Sequence, residues 1–169
     1  GRAQGFDLNV TVFSDNDGPA IPLSKTTVGL GELRDGYYGG RWGQTFRVTQ
    51  GTSLAAVDVW AAGADRNWDL DFTWSVREGG PQGGRIGPVK TTKAAYQAFG
   101  AGLHGVSYSP GEVPLEAGKT YYVEFTNPVG FNPYVMGRSE DTYSGGAAYQ
   151  DGTLRDGGGV DLSMTIVVY

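Results

Sequence analysis

The fold this sequence predicts is all-β: an antiparallel, jelly-roll-like β-sandwich of about eight to ten strands with little or no helix. Short segments in which apolar and polar residues alternate recur from Phe6 to Tyr169, and a period of two builds strands with one buried face. Glycine accounts for 29 of 169 residues, well above the usual ~7%, and it gathers between the alternating segments, where it marks turns. No stretch carries the i, i+3, i+4 apolar spacing of an amphipathic helix over more than about one turn.

Taken in order, Gly5 to Ser14 sets Phe6, Leu8, Val10 and Val12 on one side and Asp7, Asn9 and Thr11 on the other, ending at the turn Asp15-Asn16-Asp17-Gly18-Pro19. Residues 20–40 are irregular apart from Thr26-Thr27-Val28. Strands follow at Trp42 to Thr49, with Gln44, Phe46 and Val48 on one side, and at Ser53 to Ala61, with Ala55, Val57 and Val59 opposite Asp58 and Trp60. Leu70 to Val76 is the cleanest central strand, Leu70, Phe72, Trp74 and Val76 inward and Asp71, Thr73 and Ser75 outward. The turn Glu78 to Gly84 returns it antiparallel as Arg85 to Thr91, and residues 93–99 read as one helical turn or a further strand, the strand being favoured because Gly100 and Gly102 follow. A short strand at Val106 to Ser109 precedes a proline-bounded passage. Tyr121 to Thr126 then alternates Tyr121, Val123 and Phe125 with Tyr122 and Glu124. Tyr134 to Met136 and Ala148 to Gln150 are short strands, and the last strand, Val160 to Tyr169, buries Val160, Leu162, Met164, Ile166 and Val168. Pairing of the two end segments would cover each other's edges.

This length fits a single domain over residues 1–169, with 39% hydrophobic residues to build a core. The net charge is −5 and the basic residues are scattered along the sequence, which argues against nucleic acid, whose phosphates call for a basic stripe, and against anionic membrane surfaces. No apolar run reaches the ~18 residues of a membrane-spanning helix. The chain has no cysteine, which removes disulfides, thiolate metal sites and cysteine catalysis together. Low lysine content with abundant Gly, Thr, Tyr and Asp suggests an extracellular or cell-surface location. No signal peptide is visible, and the start at Gly1 is what a trimmed leader or a preceding domain would leave.

Three stretches and the chain's ending then carry a family likeness: Gly43-Gln44-Thr45-Phe46, Leu70 through Gly84, Leu115-Glu116-Ala117-Gly118-Lys119-Thr120-Tyr121-Tyr122-Val123, and Tyr143 to Tyr149 with Asp161-Leu162. Over roughly residues 41–169 the chain resembles bacterial extracellular jelly-roll accessory domains, the galactose-binding-like and carbohydrate-binding-module-like sandwiches appended to secreted hydrolases and surface proteins. The resemblance implies a β-sandwich accessory module of a larger parent protein, non-catalytic, with a glycan or cell-surface polysaccharide as partner.

Catalytic vocabulary is sparse. His104 is the only histidine and lies in Gly102-Leu103-His104-Gly105; no Gly-x-Ser-x-Gly elbow accompanies it. The glutamates, Glu32, Glu78, Glu112, Glu116, Glu124 and Glu140, fall mostly in turns, and nothing in the sequence pairs two of them as a glycosidase needs. Asp15-Asn16-Asp17-Gly18 fails as a calcium loop, because Phe13 and Ser24 stand where ligands belong. No cofactor is expected; structural calcium would fall to Asp7 and Asp161 if the end strands pair, with Asp65, Asp69 and Asp71 as a second acidic patch.

Binding is the reading the aromatic loops favour. Sugar rings offer C–H faces that stack on Trp or Tyr, while Arg, Asn and Asp read hydroxyls. One such loop supplies Tyr37, Tyr38, Arg41 and Trp42, a second Arg66, Asn67 and Trp68, and a third Asn132, Tyr134, Arg138 and Tyr143. Each aromatic has a packing alternative: Trp42 begins a strand and could anchor packing, while Trp68, flanked by Asn67 and Asp69, is the aromatic most expected to be exposed. The expected function is therefore glycan binding by loops at one end of a sandwich. A spacer or protein–protein docking domain is the alternative, and a small glycan-active hydrolase or lyase the third reading.

Overall fold

A computed structural model describes residues 24–28, 40–63, 70–94, 101–126, 134–136, 138–140 and 143–169, with side chains for 40–59, 72–92, 104–126 and 143–169. The described residues form strands β1 (Ser24–Val28), β2 (Arg41–Arg47), β3 (Thr52–Gly63), β4 (Leu70–Glu78), β5 (Arg85–Ala94), β6 (Ala101–Ser107) and β7 (Pro114–Leu115). These continue as β8 (Thr120–Thr126), β9 (Tyr134–Met136), β10 (Arg138–Glu140), β11 (Ala148–Gln150), β12 (Thr153–Leu154), β13 (Val160–Leu162) and β14 (Met164–Val168). The one helical piece among them is a three-residue 3₁₀ turn, Asp156–Gly158.

The strands form two antiparallel sheets that share one core. The first runs β1-β14-β3-β6, with β7 and β9 also on β3; the second runs β12-β11-β2-β8-β4-β5; β10 and β13 pair separately. Residues of β3, β6 and β14 (Leu54, Val57, Val59, Val106, Met164, Ile166, Val168) join Trp42, Phe46, Phe72, Trp74, Val76, Tyr121, Val123 and Phe125 of the second sheet in a single buried cluster. At its centre Phe72, Trp74 and Phe125 pack ring on ring, with centroids 5.0–6.0 Å apart. The Trp74 indole N–H is satisfied by Thr92 Oγ1 at 2.8 Å.

Alternation explains most of these positions, and local irregularities explain the departures. In β3 a register shift opposite Val167/Val168 passes over Ala55, so that Leu54, Val57 and Val59 all face inward and Ala55 is buried as well. In β4–β5 the register jumps from Trp74↔Lys90 to Val76↔Ile86, leaving Gly87, Pro88 and Val89 as a bulge. Proline belongs there because it has no N–H to give a ladder. The expected last strand divides at Ser163. Its first part pairs with β10 and its second with β1 and β3, and this division, with several segments of two or three residues, raises the count above the eight to ten expected. The β11–β12 hairpin turns on Asp151-Gly152, both at positive φ, the geometry that makes Asp-Gly a hairpin signal. The Gly5–Ser14 segment and most of the 93–99 strand lie outside the described residues.

Gly43 illustrates how tightly the second sheet is built. A Cβ there would lie 2.2–2.4 Å from the Tyr122 ring and hydroxyl, so Tyr122 lies across the bare backbone of β2. Gly43→Ala is expected to lower stability by about 1–3 kcal/mol, measured by urea unfolding, and the loss should shrink in a Tyr122→Ala background, where the clash is gone.

Candidate functional site

Three of the sequence-predicted residues with described side chains serve the interior. Trp42 is 2% exposed and stands on the core side of β2 with Phe46. This corrects its assignment as a ligand-stacking ring: in the alternation of β2 it shares a face with Gln44 and Phe46, the face that packs on the other sheet, so no ring surface is left for a sugar. Tyr143 is half-buried against the core, and its hydroxyl both accepts from the Arg47 N–H (3.0 Å) and donates to the Arg47 carbonyl (3.2 Å). It is a latch between the 143–148 loop and the end of β2, and the loop's glycine Gly146 leaves no room for a Cβ against the Thr45 carbonyl.

Asp161, the proposed calcium ligand, is fully buried although it sits on the polar side of its strand's alternation. Its Oδ1 accepts from Gln44 Nε2 at 2.7 Å and its Oδ2 from the Tyr143 N–H at 2.8 Å, while Gln44 Oε1 accepts from the Leu162 N–H at 3.0 Å. A carboxylate of this kind is held by N–H donors, and among the described residues no three His, Cys, Asp or Glu side chains gather around a point. His104 pairs across to Val59, and its ring packs edge-on against Phe72 at 5.5 Å, inside the sandwich.

Arg41 differs from these three. It is exposed at the start of β2, where its N–H donates to the Asp151 carboxylate (2.9 Å) and its carbonyl accepts from the Asp151 N–H (2.7 Å). Tyr134 stands opposite Gly63 and Arg138 opposite Leu162 in their strands. Tyr37, Tyr38, Arg66, Asn67, Trp68, Asn132 and Asp7 lie outside the described residues.

What the sequence reading passed over is the outer face of the second sheet. The strands that turn Trp42, Phe46, Phe72, Trp74, Val76, Tyr121, Val123 and Phe125 inward must turn their alternate residues outward. Register aligns these in rows: Arg41, Thr126, Thr73 and Thr91; then Tyr149, Gly43, Glu124 and Ser75; then Thr45, Tyr122, Arg77 and Arg85. Arg47 and Thr120 extend the face by another pair, joined by an Arg47 Nε to Thr120 Oγ1 hydrogen bond of 3.0 Å. Asp71 and Lys93 occupy paired positions at the other end.

The centre of this face is closely fitted and polar. Tyr122 is fully buried, with the half-buried Tyr149 ring edge-on to it at 5.5 Å. Glu124 is 7% exposed and lies 3.7 Å from Arg77 Nη2, whose Nη1 donates to the Gly83 carbonyl at 3.2 Å. The Tyr122 hydroxyl and Arg77 Nε are buried without a hydrogen-bond partner among the described residues. Burial, and after it the Glu124 charge, push the Tyr122 phenol well above its ordinary range, with Arg41 and Arg77 partly opposing. On the far side of the sandwich, burial and the Glu112 charge push Tyr108 up to about 12.

No family model matches the chain, and no curated protein matches it. The site therefore rests on its own geometry. Among the described residues no helix is long and apolar enough to cross a membrane.

Two outcomes follow from the buried polar groups. Asp161→Ala removes the acceptor of the buried Gln44 amide and of the part-buried Tyr143 N–H, at about 1–3 kcal/mol in all, and should show that loss in urea unfolding at neutral pH. For Tyr108 and Tyr122 the folded phenols hold their protons to higher pH than the unfolded ones, near 10, so the unfolded chain binds fewer protons in that window and stability falls as pH rises. Thermal melts should hold steady up to about pH 9.5 and then decline through about 12. The decline should be smaller in the Tyr108→Phe/Tyr122→Phe variant.

Proposed function

We propose that this chain is a non-catalytic glycan-binding module of a secreted or cell-surface protein, and that it binds through the outer face of the second sheet. The observation that carries this reading is the composition of that face. A half-exposed aromatic ring, Tyr149, stands beside an arginine–carboxylate pair, Arg77 and Glu124, and a field of hydroxyls from Thr73, Thr91 and Thr126. Rings meet the C–H faces of sugars, and guanidinium, carboxylate and hydroxyl groups read sugar hydroxyls. A rigid sheet floor is preformed, and such sites work through attachment to a larger protein or through several copies.

A spacer or docking role within a larger protein is the second reading, and the observation favouring it is that Trp42 and Tyr143 serve packing. Affinity electrophoresis against a panel of polysaccharides separates the two. Retention on at least one glycan is expected. It should weaken about tenfold or more, a loss of ~1.4 kcal/mol, in Tyr149→Ala, with circular dichroism checking that the variant is folded. Retention unchanged in Tyr149→Ala but lost in Trp68→Ala would return the site to the end loops, and no retention on any glycan would leave the spacer. Melts with and without a chelator test structural calcium at Asp7 and Asp161: a calcium-bound chain should lose melting temperature when the ion is removed.

A further inference from the structure

On a chain of net charge −5, the outer face of the second sheet gathers, among the residues with described side chains, four arginines, Arg41, Arg47, Arg77 and Arg85, around one glutamate, Glu124. Arg77 and Arg85 stand directly opposite each other on β4 and β5. Like charges at such positions, with Cβ atoms about 5 Å apart, destabilise a sheet, so the pair asks for an anion. Glu124 answers it only in part: its nearest oxygen is 3.7 Å from Arg77 Nη2, longer than a charge-assisted hydrogen bond. Asp151, the other carboxylate close to this face, is engaged by the Arg41 backbone at the rim.

The guanidinium of Arg77 is held by one corner. Nη1 donates to the Gly83 carbonyl, while among the described residues Nε has no partner and Nη2 has the distant Glu124 oxygen alone. Nε and Nη2 together form the edge that receives a carboxylate with two parallel hydrogen bonds. Arg85 is exposed beside it, and the side chain of Arg77 keeps 28% of its surface open. From Arg41 to Arg47 the arginines of β2 span six residues, about 20 Å of strand, a length that suits a polymer better than a single sugar.

Resting on the glycan-binding reading, we infer that the ligand is an acidic polysaccharide, a polyuronate whose carboxylates dock between Arg77 and Arg85 and meet Arg41 and Arg47 along the strand. Arg77 swings on its Gly83 anchor to present Nε and Nη2 to one carboxylate, and Arg85 closes over it from the solvent side. The neighbouring hydroxyls and the Tyr149 ring receive the sugar.

The test is affinity electrophoresis in gels containing polygalacturonate, the same polymer methyl-esterified, dextran sulfate, or neutral polysaccharides, with wild type, Arg85→Gln and Arg77→Gln/Arg85→Gln. Retention by polygalacturonate should vanish on esterification, weaken about tenfold in Arg85→Gln, and fall further in the double variant. The exposed Arg85 makes the single variant safe for folding, and with the like-charge pair relieved its melt should be no lower than wild type. Equal retention by esterified or neutral polymers would overturn the acidic preference while leaving glycan binding intact. Retention by dextran sulfate as strong as by polygalacturonate would overturn the carboxylate assignment. Polygalacturonate binding indifferent to Arg85→Gln would remove this seat, and no retention in any gel would overturn both readings together.

Discussion

The rings of Phe72, Trp74 and Phe125, packed on one another between the sheets, are the contact from which the rest of this structure takes its position. They belong to β4 and β8, and each buries a large apolar surface that only the opposing sheet can cover. Once those side chains are inside, the period of two leaves no freedom to their neighbours: Thr73, Ser75, Arg77, Glu124 and Thr126 must face out. The polar face is therefore a consequence of the core, formed by the same strands and as firmly held.

The core also contains one deliberate exception. Gln44 and Asp161 are fully buried and polar, joined to each other and to the backbone at Tyr143 and Leu162. Buried polar groups are tolerated when their hydrogen-bonding capacity is met, and they then favour one arrangement over its register-shifted competitors. Here the network ties the middle of β2 to β13 and to the loop before β11, across more than a hundred residues of sequence. It fixes where the 143–148 loop crosses Thr45, and so where β11 delivers Tyr149 to the outer face.

The outer face is not fully satisfied. The Tyr122 hydroxyl and Arg77 Nε are buried without partners among the described residues, whereas buried polar groups in folded proteins are nearly always bonded. Their neighbours supply rings, hydroxyls and positive charge in one plane.

Fold class and much of the core were decided by the sequence alone, because alternation is a local property: Phe72, Trp74, Val76, Tyr121, Val123, Phe125, Met164 and Ile166 can each be assigned from their immediate neighbours. The same rule could point Tyr122, Glu124 and Arg77 outward, but it could not bring them together. Their rows depend on β2, β4, β8 and β11 pairing over separations set by the whole chain. Trp42 was misjudged as a loop ring, and the burial of Asp161 was not foreseen, for a related reason. An aromatic at a strand's start, or an acid on its polar side, is exposed or buried according to what the opposing sheet and the crossing loop place over it, and only the tertiary structure decides that.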